Sequence, residues 1–208
     1  MKKLLVLLFS LFFLSSPSVF ADDISDFQIE GISIGDSLLD YMTKDEILEE
    51  IELNKDYYYY LNEPNKYAEI YLWKEFPTYD FVSVFIKNNA TNQYLTNKNE
   101  KYTILSIRGL INYIEDFDSC LAKKDEIVSE LSKVFINAQK TEHVGKHGAD
   151  TSGNSIVDVV DFKYASGDEA SIYCDNFEET LRIKNNWTEG LTVSIKRKEI
   201  NEWLSDWK

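Results

Sequence analysis

Only two histidines occur in the chain, His143 and His147, four residues apart in the stretch "TEHVGKHGADTSGN" at 141–154. On a helix, two imidazoles at that spacing share a face and suit zinc, with Asp150 or Glu142 as a third ligand. An acid–base enzyme would also have to be built around them, because histidine titrates near neutrality. Gly145 and Gly148 argue against a helix, and Asp150-Thr151-Ser152-Gly153-Asn154 is turn chemistry, with side chains that bond their own backbone. The stretch therefore reads as a polar connection carrying a candidate metal set of His143, His147 and Asp150. No glutamate completes an H-E-x-x-H pair, and the loop is too short and too poor in acids for calcium.

A second candidate is aromatic. In "DYYYYLNE" at 56–63, a strand would point Tyr57 and Tyr59 one way and Tyr58 and Tyr60 the other. Together with Tyr67, Tyr71 and Trp73, Tyr57 and Tyr59 could form a platform for a sugar or peptide, since a rigid ring with a polar tip binds well. The plainer alternative is that one side packs in the core and the other covers a sheet face. No nucleophile elbow, P-loop or Gly-rich dinucleotide fingerprint is read in the chain, and no cofactor is expected. Thirty-six acidic residues give no means of choosing a glycosidase carboxylate pair.

Two cysteines, Cys120 and Cys174, are expected to form a structural disulfide. Cys120 shares the apolar stripe of a long helix with Ile127 and Leu131, and Cys174 shares a strand face with Ala170 and Ile172. Both then point into one layer between helix and sheet. Without a C-x-x-C pair, a redox role is not expected.

The elements that would position these residues follow from periodicity. Residues 27–35 read as a short extended piece with glycine breaks. Asp36 or Ser37 caps a helical turn carrying Leu38, Leu39 and Met42, and Thr43-Lys44-Asp45-Glu46 is a capping box for a helix burying Ile47, Leu48 and Ile51. Three strands follow at 67–73, 81–87 and 102–108. A long helix, capped by Asp118 or Ser119, places Phe117, Cys120, Leu121, Ile127, Val128, Leu131, Val134 and Phe135 on one face. Strands at 156–164, 169–175 and 191–197 come next, then a short helix lined by Ile200, Trp203, Leu204 and Trp207. The order predicts an α+β fold, with helices packed on antiparallel meander sheets. "KDEILEEI" at 44–51 and "KDEIVSEL" at 124–131 match at six of eight positions if Ile and Leu are equated. They raise the expectation of two helix-plus-meander halves, 22–110 and 111–208, within a single domain spanning 22–208.

Lys2 and Lys3 before the apolar run Leu4 to Leu14, with Val19 and Ala21 ahead of Asp22, read as a signal peptide at 1–21 cleaved after Ala21. Cleavage would leave 187 of the 208 residues, and the loss of two lysines would take the formal net charge from −14 to −16. So acidic a surface repels phosphates and anionic lipid, which excludes nucleic acid as a partner and leaves an unknown protein or a small neutral or cationic ligand. No later apolar run is long enough to span a bilayer, so a periplasmic or secreted protein is expected.

The start "DFQIEGISIGDSLLDYM" behind a Lys-Lys leader, with "HGADTSGNSIVDVVDFKYASGDEASIYCD" and "NNWTEGLTVSIKRKEINEWL", resembles a family of small uncharacterised exported bacterial proteins. The resemblance covers most of the chain after the leader and implies export and a shared fold, but no catalytic residue. The G-x-S-x-G-D-S turn also looks similar to the start of small α+β domains of envelope assembly and inhibitor proteins. The expected function is that of an exported binding module. The alternative is a metal-dependent or acid–base hydrolase using the His143/His147 loop.

Overall fold

The computed structural model describes residues 24, 27–63, 65–89 and 97–206, without the side chains of Tyr59 and Lys98. The expected leader and Trp207 lie outside the described residues. Seven strands form one antiparallel sheet in the order β3-β4-β5-β9-β8-β7-β6, and a separate hairpin pairs β1 (Gln28–Ile29) with β2 (Ile32–Ser33). The fold is α+β, as periodicity predicts. Glu30 and Gly31 join the hairpin strands with φ of 54° and 76°, the positive values that a two-residue turn of this hand demands.

Ser37 caps a 3₁₀ turn at Leu38–Asp40. Helix α1 (Lys44–Asn54) starts at the expected capping box, where Thr43 and Glu46 satisfy each other's backbone N–H. It buries Ile47 and Glu50 but leaves Leu48 44% exposed, because its inward stripe is narrower than three apolar positions. Strands β3 (Tyr67–Leu72), β4 (Phe81–Lys87) and β5 (Ile104–Asn112) form the first meander. Helix α2 (Phe117–Val134) is capped by Asp116 rather than Asp118 or Ser119, since Asp116 accepts from the Ser119 N–H.

The second meander holds a strand that hydrophobic patterning does not reveal. Gln139–Lys146, read above as a connection, is β6, paired along its length with β7 (Ile156–Lys163). It is an edge strand, exposed almost throughout, so no apolar alternation marks it. Lys140, Glu142 and Lys146 place charges along an edge that would otherwise invite pairing. Strand β8 (Glu169–Asn176), helix α3 (Glu179–Asn185), β9 (Gly190–Lys196) and α4 (Lys198–Asp206) complete the chain. β5 pairs β9, so the two meanders are joined through strands distant in sequence.

One face of the sheet is covered. Ala68, Ile70, Leu72, Val82, Val84, Ile107, Val160, Phe162, Ile172, Val193 and Ile195 lie on it, and the buried stripe of α2 packs there against β8 and β9. Cys120 and Cys174, both fully buried, form a disulfide in this layer with their Cα atoms 6.1 Å apart. Lys124, also on the α2 stripe, is buried against Asp158 of β7 in an ion pair. Among the described residues, no helix is long and apolar enough to cross a membrane.

Candidate functional site

Period-two alternation sends the other residues of each strand to the opposite face, and the pairing register reads them out as rows. One row runs Tyr71, Ser83, Arg108, Ser194, Ser171, Asp161 and Thr141 across all seven strands. The next runs Phe81, Leu110, Thr192, Tyr173, Val159 and His143. A third contains Gly190, Asp175, Val157 and Gly145. Among the described residues, helices cover only one end of this face. There α4 lays Ile200 and Trp203 on Tyr67, Phe85 and Leu105, with the Tyr67 and Trp203 rings 4.9 Å apart. Arg197 and the Lys198 N–H bind Asp168 at 2.9 and 2.8 Å, fixing where α4 departs.

The rest of the face is an open groove of about 1360 Å³, larger than the few hundred to a thousand Å³ typical of small-molecule sites. Tyr57, Tyr58, Tyr71, Trp73 and Phe81 line one end, and His147, Phe177 and Trp187 line the other. On the floor between them, Arg108 is held by Glu69 at 3.2 Å and Lys196 by Glu169 at 3.1 Å, while Asp161 and Asp175 add two further carboxylates.

Of the aromatic candidates, Tyr57, Tyr71 and Trp73 line the groove, whereas Tyr67 is fully buried under α4, because Trp203 packs on its ring. Tyr71 and Trp73 stack with centroids 5.9 Å apart, and the Trp73 indole N–H donates to Glu50 of α1 at 2.5 Å. Tyr57 lines the groove and is 82% exposed. The tyrosine run is not a strand, however. Residues 55–57 turn, and Tyr59–Leu61 is a 3₁₀ helix, because the chain must bend from α1 back to β3. Tyr58 and Tyr60 therefore stack at 5.2 Å rather than pointing along a pleat, and the Tyr58 and Tyr71 hydroxyls meet at 3.1 Å. The side chain of Tyr59 lies outside the description.

The histidine candidates separate. His143 stands exposed on β6, on the groove side but at the sheet's outer edge. His147 leaves the strand and turns into the groove. Asp150 is buried and committed to its own loop: its carboxylate accepts from the N–H groups of Ser152 at 2.7 Å, Asn154 at 3.1 Å and Ser155 at 2.7 Å. Hydrogen bonds led by those from Ser152 hold its carboxyl well below the ordinary carboxylate range. Among the described residues, no three or more His, Cys, Asp or Glu side chains cluster so as to hold a metal ion.

Asp150 instead positions His147. The tied loop lets His147 donate its N–H to the Ser155 carbonyl at 2.9 Å, and Nδ1 accepts from the Ala149 N–H at 3.2 Å. Accepting at Nδ1 places the proton of the neutral ring on Nε2, which faces Asp175 Oδ1 at 3.7 Å. Burial holds the imidazole below its ordinary pKa, favouring that neutral form. Burial, together with nearby Glu189, pushes Asp175 up to about 7 against the opposing pull of Arg108. Its Oδ1 is buried and has no hydrogen-bond partner among the described residues.

Phe177 and Trp187 are placed by a second anchor. Buried Glu189 accepts from the Phe177 N–H at 2.9 Å and pairs with Arg182 at 3.4 Å. Helix α3 ends at Asn186 in the left-handed region with φ 52°, and the Trp187 N–H returns to the Arg182 carbonyl at 3.0 Å. This reversal brings Trp187 to 4.9 Å from Phe177, and Phe177 lies 4.7 Å from His147.

Sequence reasoning missed Arg108, Asp175, Phe177 and Trp187. For Asp175 a signal existed: it follows Cys174 on a strand and must face opposite to it. Phe177 and Trp187 belong to non-repeating segments and leave no periodic trace. The letters G-x-S-x-G occur at 31–35, but Ser33 sits in the β1–β2 hairpin and not at a strand-to-helix elbow. No family model, no curated protein and no solved structure matches the chain.

Proposed function

We propose that the protein is an exported binding module that holds an extended, basic polypeptide segment of a partner across the open face of its sheet. The observation that carries this reading is the groove itself. A sheet face left uncovered over several strands, with aromatic rings at both ends and a charged floor, is a surface built for contact rather than for a core. Its volume exceeds that of a single small ligand, and rigid Tyr and Trp side chains supply contact area at low entropic cost. Charge supports a basic partner: the chain carries a formal −14, and Asp161 and Asp175 add to a floor whose two cations are already held by Glu69 and Glu169. The disulfide fits an oxidising compartment, hence periplasmic or secreted placement, in keeping with the Lys-Lys leader and the resemblance to exported bacterial proteins.

Panning displayed random dodecapeptides against the folded protein tests this. Lys- and Arg-rich sequences should enrich, and their affinity should fall at least tenfold in Tyr71→Ala and Trp73→Ala. Glu130→Gln, on the exposed side of α2, should leave it unchanged. Peptides without basic enrichment, or binding indifferent to both aromatic changes, would sink the reading.

A second reading keeps the acid–base hydrolase but exchanges partners: His147 with Asp175 rather than with His143. The 3.7 Å approach and the near-neutral carboxyl favour it. It requires hydrolysis of an activated ester to follow His147 and Asp175; equal rates in wild type and His147→Gln would dismiss it.

A further inference from the structure

We infer that the end of the groove where His147, Phe177 and Trp187 meet, with His147 facing Asp175, is a subsite for a primary alkylammonium group, the terminal charge of a lysine side chain on the bound polypeptide. The inference rests on the groove reading above and names the chemistry of one end of it. Three aromatic rings meet there, with centroids 4.7 Å apart for His147 and Phe177, 4.9 Å for Phe177 and Trp187 and 6.3 Å for His147 and Trp187. All three line the groove, and so does Asp175. Ring faces attract a cation through their quadrupole, most strongly when the site is partly desolvated.

The Asp175 carboxylate supplies the second, independent observation. Asp175 Oδ1 is buried without a hydrogen-bond partner among the described residues, and a buried acceptor left unmatched costs free energy. A donor that carries positive charge would satisfy it. The neighbouring groups do not already do so. Arg108, from β5, is engaged by Glu69 at 3.2 Å and donates to the Tyr71 hydroxyl at 3.4 Å. His147, from the β6–β7 loop, is held neutral by burial and stays at 3.7 Å. Glu189, ahead of β9, adds negative charge and is itself paired with Arg182 of α3. An ammonium is favoured over a guanidinium because a compact point charge needs one acceptor oxygen, whereas the guanidinium fork seeks two side by side.

The pH dependence follows from the groups facing the subsite. Asp175 must be ionised and His147 neutral for the cation to gain most, and both conditions are met more fully as pH rises through about 7. Affinity should therefore increase from pH 6 to pH 8.

The test uses n-butylammonium as the side-chain probe and butan-1-ol as its uncharged counterpart, at fixed ionic strength, followed by the Trp187 indole N–H resonance of the full chain. The expected result is a saturable shift with butylammonium that strengthens with pH, no comparable shift with butanol, and at least tenfold weaker binding in Asp175→Asn. Trp187→Leu, read through the Phe177 resonances, should weaken it as well. Asp175→Asn should fold well, since the buried charge destabilises the native state, so loss of response is not confused with loss of structure. An equal response to butanol, no saturable response, or an unchanged Asp175→Asn titration overturns the subsite. Peptide binding that depends on Tyr71 and Trp73 would survive that result, so a failed subsite and a failed groove give different patterns.

Discussion

His147 presents Nε2 to Asp175 Oδ1 across 3.7 Å, too far for a hydrogen bond, although the two residues lie 28 positions apart and on different elements. The pair stops short because each side is fixed separately. The Asp150 loop sets His147, and the β7–β8–β9 register sets Asp175. A buried carboxylate held without a donor works against folding, and a fold tolerates such a cost chiefly where the group serves a ligand.

Replacing Asp175 should show that cost directly. Its folded pKa, about 7, lies above the ordinary 3.8, so the folded state binds the proton more tightly. That contribution is fully present below about pH 4 and is lost as pH rises to about 7. Asp175→Asn should therefore match the wild type near pH 3.5 and exceed its stability at pH 8, with a ceiling of about 4 kcal/mol. Urea unfolding at the two pH values checks this. A difference that does not change with pH would mean Asp175 is not held in this way.

Asp150 should behave in the opposite sense. Its folded pKa is depressed, so its contribution is present above the ordinary 3.8 and is lost as pH falls below it. Asp150→Ala leaves the Ser152 and Ser155 N–H groups without their acceptor, while Asn154 keeps the Ser152 hydroxyl, and should lower stability at pH 7. Amide exchange at Ser152 and Ser155 should speed up with it, and the His147 ring resonances should move. Unchanged exchange at those amides would refute the anchoring role.

Reducing or removing the disulfide should lower stability by roughly 4 kcal/mol, from the loop entropy released when 54 residues of chain are no longer closed. Denaturation of a Cys120→Ala, Cys174→Ala double variant measures it. A loss below about 1 kcal/mol would show that packing alone holds α2 on β8.

The Lys124–Asp158 pair gives a further contrast. Asp158→Ala leaves the buried Lys124 ammonium with only the exposed Asp125 carboxylate, 3.7 Å away, and should cost about 3 kcal/mol, whereas a Lys124→Met, Asp158→Leu double variant should recover most of it. If the double variant is no better than the single, the ion pair itself and not the uncompensated charge is what matters.

Much of the fold was legible because its signals are local. Alternation marks β3, β4, β7, β8 and β9, a 3.6-residue stripe marks α2, and the Thr43–Glu46 box marks the start of α1. Those same faces place Cys120 and Cys174 in one layer, so their pairing followed as well. Tyr71 and Trp73 were visible as surface aromatics for the same reason, lying on the side of β3 opposite Ala68, Ile70 and Leu72.

The remainder rests on non-local contacts. β6 is a strand because β7 pairs with it, not because its own residues prefer extension, and the tyrosine run bends because α1 and β3 must be joined. The parting of His143 from His147, and the meeting of His147 with Asp175, Phe177 and Trp187, depend on register across β6, β7, β8 and β9 and on the reversal at Asn186. Hydrophobic period reports which face a residue takes within its own element. It carries no information about which other element's open face that residue will meet, and the groove is made of such meetings.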